Sequence, residues 1–213
     1  MCVIAVSPAE CKQPKEKDFR MMWDHNPHGA GIMWCEHNKV YIQKGLMTFD
    51  DFMDYIRYFR FTPADPVVYH FRISTQAGTG PEMTHPFPLT ADPYELRKLS
   101  PEPCDIGIAH NGIIRLTSDP LETTFSDTAL FIQKYLTKII RSPADLESEE
   151  MTNMIYTLAQ SKLAFLRNDG RIFTIGKFYS QPGKFLVSNE FYKPVSNYSG
   201  WSYNYFKNLH AEV

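Results

Sequence analysis

Residues 1–12 read Met1-Cys2-Val3-Ile4-Ala5-Val6-Ser7-Pro8-Ala9-Glu10-Cys11-Lys12. The run from position 2 to position 6 is short, apolar and rich in β-branched side chains, which suits a buried strand. The chain therefore opens on a strand headed by a thiol.

Working outward, residues 31–35 and 40–42 read as a hairpin across Glu36, His37 and Asn38. Thr48 precedes Phe49, Phe52, Ile56 and Phe59 at helical spacing, with Asp51 placed as in a capping box, and this is the first helix expected. Residues 67–75 are β-branched and aromatic, a further strand. Residues 106–109 and 113–116 flank Asn111-Gly112, a hairpin-turn signal. Ser126 is placed to cap a helix running towards Ile140, with Leu130, Leu136, Ile139 and Ile140 facing the core, and a second helical pattern covers 149–160. Residues 163–167 and 171–175 form a hairpin over Asp169-Gly170, and 185–188 supply one more strand. The pattern is α+β with mostly antiparallel strands. The proline-rich stretch 86–103 reads as loops, so residues 1–213 are expected to form a single domain with an aromatic-rich C-terminal segment at about 191–213.

Composition excludes several classes. With 43% hydrophobic and 22% charged residues, 15 Phe and 12 Tyr, the 213-residue chain is that of a globular protein able to bury a core. A net charge of -2 and the lack of a long basic run argue against a nucleic-acid partner. No apolar run is long enough to span a membrane, and the first residues lack a basic region followed by a long apolar stretch, so a cytoplasmic location is expected. The four cysteines, Cys2, Cys11, Cys35 and Cys104, show neither a CxxC pair nor zinc-ribbon spacing.

The chemistry starts at Cys2. Once Met1 is removed, one residue carries both a thiol and a free α-amine, whose reference pKa of about 7.7 to 8.0 lets it accept the thiol proton near neutrality. Taken alone, a Met-Cys start needs no function. Three segments change the balance. Tyr69-His70-Phe71-Arg72-Ile73-Ser74-Thr75 and then Met83-Thr84-His85-Pro86-Phe87 place an arginine at the end of an apolar strand, where its fork can clamp a carboxylate. The ordinary structural reading is an edge-strand arginine in a surface ion pair. Ile108-Ala109-His110-Asn111-Gly112-Ile113-Ile114 is first a hairpin turn, yet an Asn amide beside a glycine N–H also offers two donors to an oxyanion. Ser126-Asp127-Thr128 reads as a helix cap, or as a carboxylate that holds a substrate ammonium.

In this order Cys2, the HFR and THPF segments, AHNG and SDT resemble the class II glutamine amidotransferases, a branch of the N-terminal-nucleophile hydrolases. The likeness spans residues 2 to about 128, with FLVSNE at 185–190 similar to the strand that closes the family's domain, and Gly29 to Gly31 similar to its early glycine segment. The resemblance implies a four-layer αββα sandwich of two antiparallel sheets between helices. It implies Cys2 as nucleophile, Asn111 and the Gly112 N–H as oxyanion hole, Arg72 on the substrate α-carboxylate and Asp127 on its α-amine. Thr75 and His85 line the same pocket, and no cofactor is needed. The chain departs from the pattern in reading Cys2-Val3-Ile4-Ala5 where many members read CGI, Gln76 where some have His, and Ala129 where many have Glu. HFR followed by THPF and AHNG resembles more the stand-alone branch, whose members include enzymes cleaving γ-glutamyl amides of larger molecules.

The reaction expected is hydrolysis of the glutamine side-chain amide through a γ-glutamyl thioester, with ammonia passed to an acceptor on a separate synthase or ligase partner. A chain of this length leaves no room for a synthase domain beside this one. An amidohydrolase that removes glutamate from a γ-glutamyl conjugate is the nearest alternative, and a glutamine-sensing subunit without turnover is another. A metallohydrolase built on His25, His28, His70, His85 and His110 ranks below these, since their spacing matches no strong zinc motif.

Overall fold

The computed structural model describes residues 1–73, 80–117 and 124–193. It is a mixed α+β fold with two antiparallel sheets. The opening apolar run becomes β1 (Val3–Ser7), followed by α1 (Glu16–His25), β2 (Ala30–Glu36), β3 (Lys39–Leu46), α2 (Phe49–Phe59) and β4 (Val67–Phe71). Then come β5 (Phe87–Pro88), α3 (Pro93–Arg97), β6 (Ile106–Asn111), α4 (Asp127–Phe131), α5 (Thr137–Ile139) and α6 (Glu149–Ala159). The strands β7 (Lys162–Arg167), β8 (Ile172–Ile175), β9 (Tyr179–Ser180) and β10 (Leu186–Val187) close the described chain. The larger sheet has the order β3-β2-β4-β1-β10-β9, and the smaller one β5-β6-β7-β8.

Every residue of β1 and β4 is buried, because both faces of the large sheet are covered. Alternation sorts their side chains. Val3, Ala5, Tyr69 and Phe71 join Phe19, Met22 and Trp23 of α1 and Phe49 and Phe52 of α2 in one core. Ile4, Val6 and Val68 point the other way, to Ala109, Ala164 and Leu166 of the small sheet. The opposite face of the small sheet, with Ile108, Leu163 and Phe165, packs on Phe131, Ile132 and Ile155 of the helical segments. Each large side chain moved from water into these cores contributes about 1.5–3 kcal/mol.

The local signals act mostly as expected. His37 and Asn38 both take positive φ (47° and 57°), as the tight β2–β3 turn requires. Thr48 Oγ1 accepts the Asp51 N–H at 3.1 Å, and Ser126 Oγ accepts that of Ala129 at 3.2 Å. α4 passes through a π-helical turn (Ile132–Leu136) into α5.

Several expectations need correction. The first helix is α1, not the one after Thr48: Phe19, Met22 and Trp23 recur at i, i+3 and i+4 and are its buried residues. Asn111-Gly112 is no hairpin turn. Asn111 ends β6, whose partners are β5 and β7, and residues 113–117 form a turn braced by the Thr117 N–H to the Ile114 carbonyl at 3.2 Å. The strand expected over 67–75 is assigned as β4 only to Phe71, the closing strand spans two residues, and the proline-rich stretch contains β5 and α3. Of the aromatic C-terminal segment only its first three residues are described: Tyr192 is buried in the α1-side core, whereas Phe191 is exposed.

Candidate active site

The antiparallel register puts the thiol beside the arginine. Val3 pairs with Phe71, so one step further Cys2 meets Arg72 and Ile73 at the end of β4. The Ile73 N–H donates to Cys2 Sγ at 3.4 Å, and Sγ lies 3.5 Å from the Ile73 carbonyl. Asn189 Nδ2 donates to the Cys2 carbonyl at 2.6 Å. Burial pushes the thiol pKa up, while the Ile73 N–H, the chain's α-amino group and the Arg72 guanidinium pull it down. Burial outweighs the rest, so the thiol pKa stays raised, and among the described residues no histidine lies at hydrogen-bond distance from Sγ.

Arg72 is nearly buried and held by its backbone. Its N–H donates to the Gly29 carbonyl at 2.8 Å and its carbonyl accepts from the His28 N–H at 2.9 Å, so the glycine segment before β2 steers the arginine. Its Nη1 donates to the Gly80 carbonyl at 3.4 Å. Burial lowers its pKa, opposed by the charges of Cys2 and Glu82, and a guanidinium stays charged under such conditions.

Asn111 and Gly112 come from the other sheet. Asn111 is buried at the end of β6, with Nδ2 2.8 Å from Ser188 Oγ. Gly112 has φ 149°, and a Cβ there would lie 2.7 Å from that of Ser161, so only glycine fits. Cys2, Ile73, Asn111 and Gly112 line one cavity of about 800 Å³ together with Arg115 and Leu116, whereas Arg72, beside the thiol, is not among the described residues that line it.

The other expected site residues lie elsewhere. His85 is buried in the interior, its ring centroid 4.4 Å from that of His70 and 5.0 Å from that of Phe87, and neither ring nitrogen has a partner among the described residues. It is not among the described residues that line the cavity. Asp127 is tied to backbone. Oδ2 accepts the Ile114 N–H at 2.7 Å and Oδ1 accepts that of Thr128 at 2.7 Å, so the carboxylate holds the turn that follows Gly112. Capping of α4 falls to Ser126 instead. Thr75 lies outside the described residues.

Behind the front stand residues that the sequence did not place in this site, His70 and His110 being named there only as candidate metal ligands. His110 is clasped between Thr128 Oγ1 and Ser161 Oγ, each at 2.8 Å, and His70 Nε2 lies 3.0 Å from the His110 carbonyl. Ser188 and Asn189 sat inside the FLVSNE segment, read only as a strand. Nothing local marks their part in the site, because the contacts that tie them to Asn111 and Cys2 span more than seventy residues. Among the described residues no group of three or more His, Cys, Asp and Glu side chains is arranged to hold a metal ion, and no helix is long and apolar enough to cross a membrane.

Comparison with known proteins adds one finding. No family model matches the chain, and no curated protein matches it in sequence. Among solved structures it is similar to the glutamine phosphoribosylpyrophosphate (PRPP) amidotransferase from B. subtilis complexed with ADP and GMP, with a TM-score of 0.45 and 16% identity over 88% of this chain and 41% of that one. This chain therefore spans about two fifths of that chain's length.

Proposed function

We propose that this protein is a glutaminase of the class II glutamine amidotransferase type, acting through Cys2 as an N-terminal nucleophile. The observation that carries the reading is the meeting of Cys2, Asn111 and Gly112 around one cavity, from two different sheets, with Arg72 next to the thiol. The three separate cores support the αββα layering that goes with it.

In this reading Met1 is removed first. Met1 lines the same cavity and is exposed, so its loss frees the Cys2 α-amine and opens space above the thiol. The amine takes the thiol proton, and Sγ forms a bond to the side-chain amide carbon of the substrate. The charge on the amide oxygen is met by the Gly112 N–H and the Asn111 carboxamide. The C–N bond then breaks, the α-ammonium returns its proton to the leaving nitrogen, and ammonia departs. Water adds to the γ-glutamyl thioester, giving its proton to the α-amine, and glutamate leaves as the thiol reforms. Arg72 clamps the substrate α-carboxylate and Thr75 shapes the same pocket, while Asp127 acts through the turn it braces after Gly112 and His85 from the interior behind it. A separate synthase or ligase subunit holds the acceptor of the ammonia.

A second reading has an observation in its favour. A cavity of about 800 Å³ lies in the range that holds drug-sized ligands, and Ile113 and Leu116 on its wall are exposed apolar side chains. A γ-glutamyl amide with a larger apolar amine fits there, with the same chemistry and no ammonia transfer.

The test is an assay of processed protein that begins at Cys2, with glutamine and γ-glutamyl-p-nitroanilide in parallel. Release of glutamate with ammonia supports the glutaminase, and release only from the anilide supports the second reading. Processed protein that binds glutamine without turning it over is a sensing subunit. Protein with an uncleaved tag ahead of Cys2 is expected to be inactive until the tag is cut, because an amide nitrogen accepts no proton. Equal activity before and after cleavage removes the α-amine from the mechanism.

A further inference from the structure

Immediately after β10 two side chains reach back to the site from behind. Asn189 donates to the Cys2 carbonyl at 2.6 Å. Ser188, fully buried, is pinned by its own backbone: its N–H donates to the Ile4 carbonyl at 2.9 Å, and Lys162 Nζ donates to its carbonyl. Its Oγ accepts the Ile4 N–H at 2.9 Å and lies 2.8 Å from the Asn111 carboxamide.

A carboxamide keeps its shape when oxygen and nitrogen are exchanged, so the hydrogen-bond network decides which atom faces which neighbour. With Nδ2 turned to Ser188, the hydroxyl receives two N–H donors and its own proton has no acceptor among the described residues, while Asn111 Oδ1 is buried without a donor. With the two exchanged, the Ile4 N–H occupies one lone pair of Ser188 Oγ and the hydroxyl proton goes to Asn111 Oδ1. Nδ2 then takes the unpartnered side of the carboxamide, as a donor awaiting an acceptor. Asn111 is among the residues that line the cavity with Cys2, and in the glutaminase reading the acceptor for such a donor is the oxyanion of the bound substrate.

Resting on the glutaminase reading above, we infer that Ser188 is a positioning residue whose hydroxyl, anchored by the Ile4 amide, holds the Asn111 carboxamide with Oδ1 towards β10 and Nδ2 towards the cavity above Cys2. It touches no reacting atom and acts through Asn111. Sequence order explains the device: Ile4 lies two residues from the nucleophile, so the same short piece of β1 sets Cys2 and, through Ser188, the oxyanion donor.

The test has two arms. In processed protein, Ser188→Ala is expected to lower kcat by roughly ten- to a hundredfold with KM within about twofold, and Ser188→Thr, which keeps the hydroxyl, to recover most of it. In an Asn111→Ala background, Ser188→Ala is expected to cost nothing further. An undiminished loss in that background overturns the inference, since it shows Ser188 acting by another route. The second arm is neutron diffraction of the unsubstituted processed protein, which needs neither turnover nor a folded variant. Asn111 deuterium atoms on the cavity side support the inference, and deuterium atoms directed at Ser188 Oγ overturn it. If the processed protein turns over neither glutamine nor a γ-glutamyl amide, the glutaminase reading fails and the diffraction arm alone decides the carboxamide orientation.

Discussion

Three of the expected site residues differ in how they are held, and the difference sets what each substitution does. Arg72 is fixed through its backbone to His28 and Gly29, so truncating the side chain spares the strand end. Arg72→Ala is expected to raise the substrate KM by roughly a hundredfold, the loss of a bidentate carboxylate clamp worth about 2–3 kcal/mol. An unchanged KM in steady-state assays removes Arg72 from the pocket. Asn111→Ala is expected to lower kcat about a hundredfold or more with KM little changed. Normal specific activity with a poor folding yield confines Asn111 to a structural role. Asp127 braces two backbone N–H groups, so Asp127→Asn is expected to lower Tm and raise KM together, because the turn it holds borders the cavity. A raised KM at unchanged Tm instead marks direct contact with the substrate amine.

At the scale of elements, the site depends on how closely β2 approaches the THPF segment. A Cβ at Gly31 would run into the His85 carbonyl and sit 2.9 Å from the Gln43 carbonyl oxygen, both backbone atoms that cannot swing aside. Gly31→Ala is therefore expected to destabilise the protein by about 2–3 kcal/mol or more, measured by urea unfolding. A change below about 0.5 kcal/mol means that the two segments move apart freely. The same scale shows where sequence reading succeeded and failed. The β2–β3 and β7–β8 hairpins and the caps at Thr48 and Ser126 were legible because each is decided within four residues. Asn111-Gly112 carried an equally strong turn signal and misled. Gly112 takes φ 149° rather than a hairpin value, and the Asp127 carboxylate, far along the chain, captures the Ile114 N–H that a strand would have used.

Across the whole molecule, three histidines meet in the interior. Burial lowers the His70 pKa to about 3 and that of His110 to about 4, and holds His85 well below its usual value, with the neighbouring rings and Arg72 adding to the effect at His70 and His85. All three are neutral when folded and titrate near about 6.5 when unfolded. Their contribution to stability is therefore complete above about pH 6.5 and is lost as pH falls through the folded values. Each uncompensated proton costs about 1.4 kcal/mol per pH unit, so three give a slope of about 4 kcal/mol per unit between about pH 6 and 4. Against a typical total of about 5–15 kcal/mol, a loss of about 8 kcal/mol by pH 4 takes away much of the stability, so the urea midpoint is expected to fall steeply between about pH 6 and 4. Urea midpoints at a series of pH values check this, and a flat profile from pH 7 to 5 shows the cluster to be hydrated or open.

The sequence by itself determined the α+β class, the positions of most strands and the later helices, and the residues proposed for the site, since periodicity, caps and turn residues act over a few positions. Cys2, Arg72, Asn111 and Gly112 were all visible as candidates. Tertiary structure alone decided their meeting. Register between β1 and β4 sets Cys2 against Arg72, the stacking of two sheets brings Asn111 across from another layer, and a serine at position 188 reaches an asparagine at position 111. Such contacts arise from burial of both sheet faces at once, a property of the packed whole that no window of the chain records.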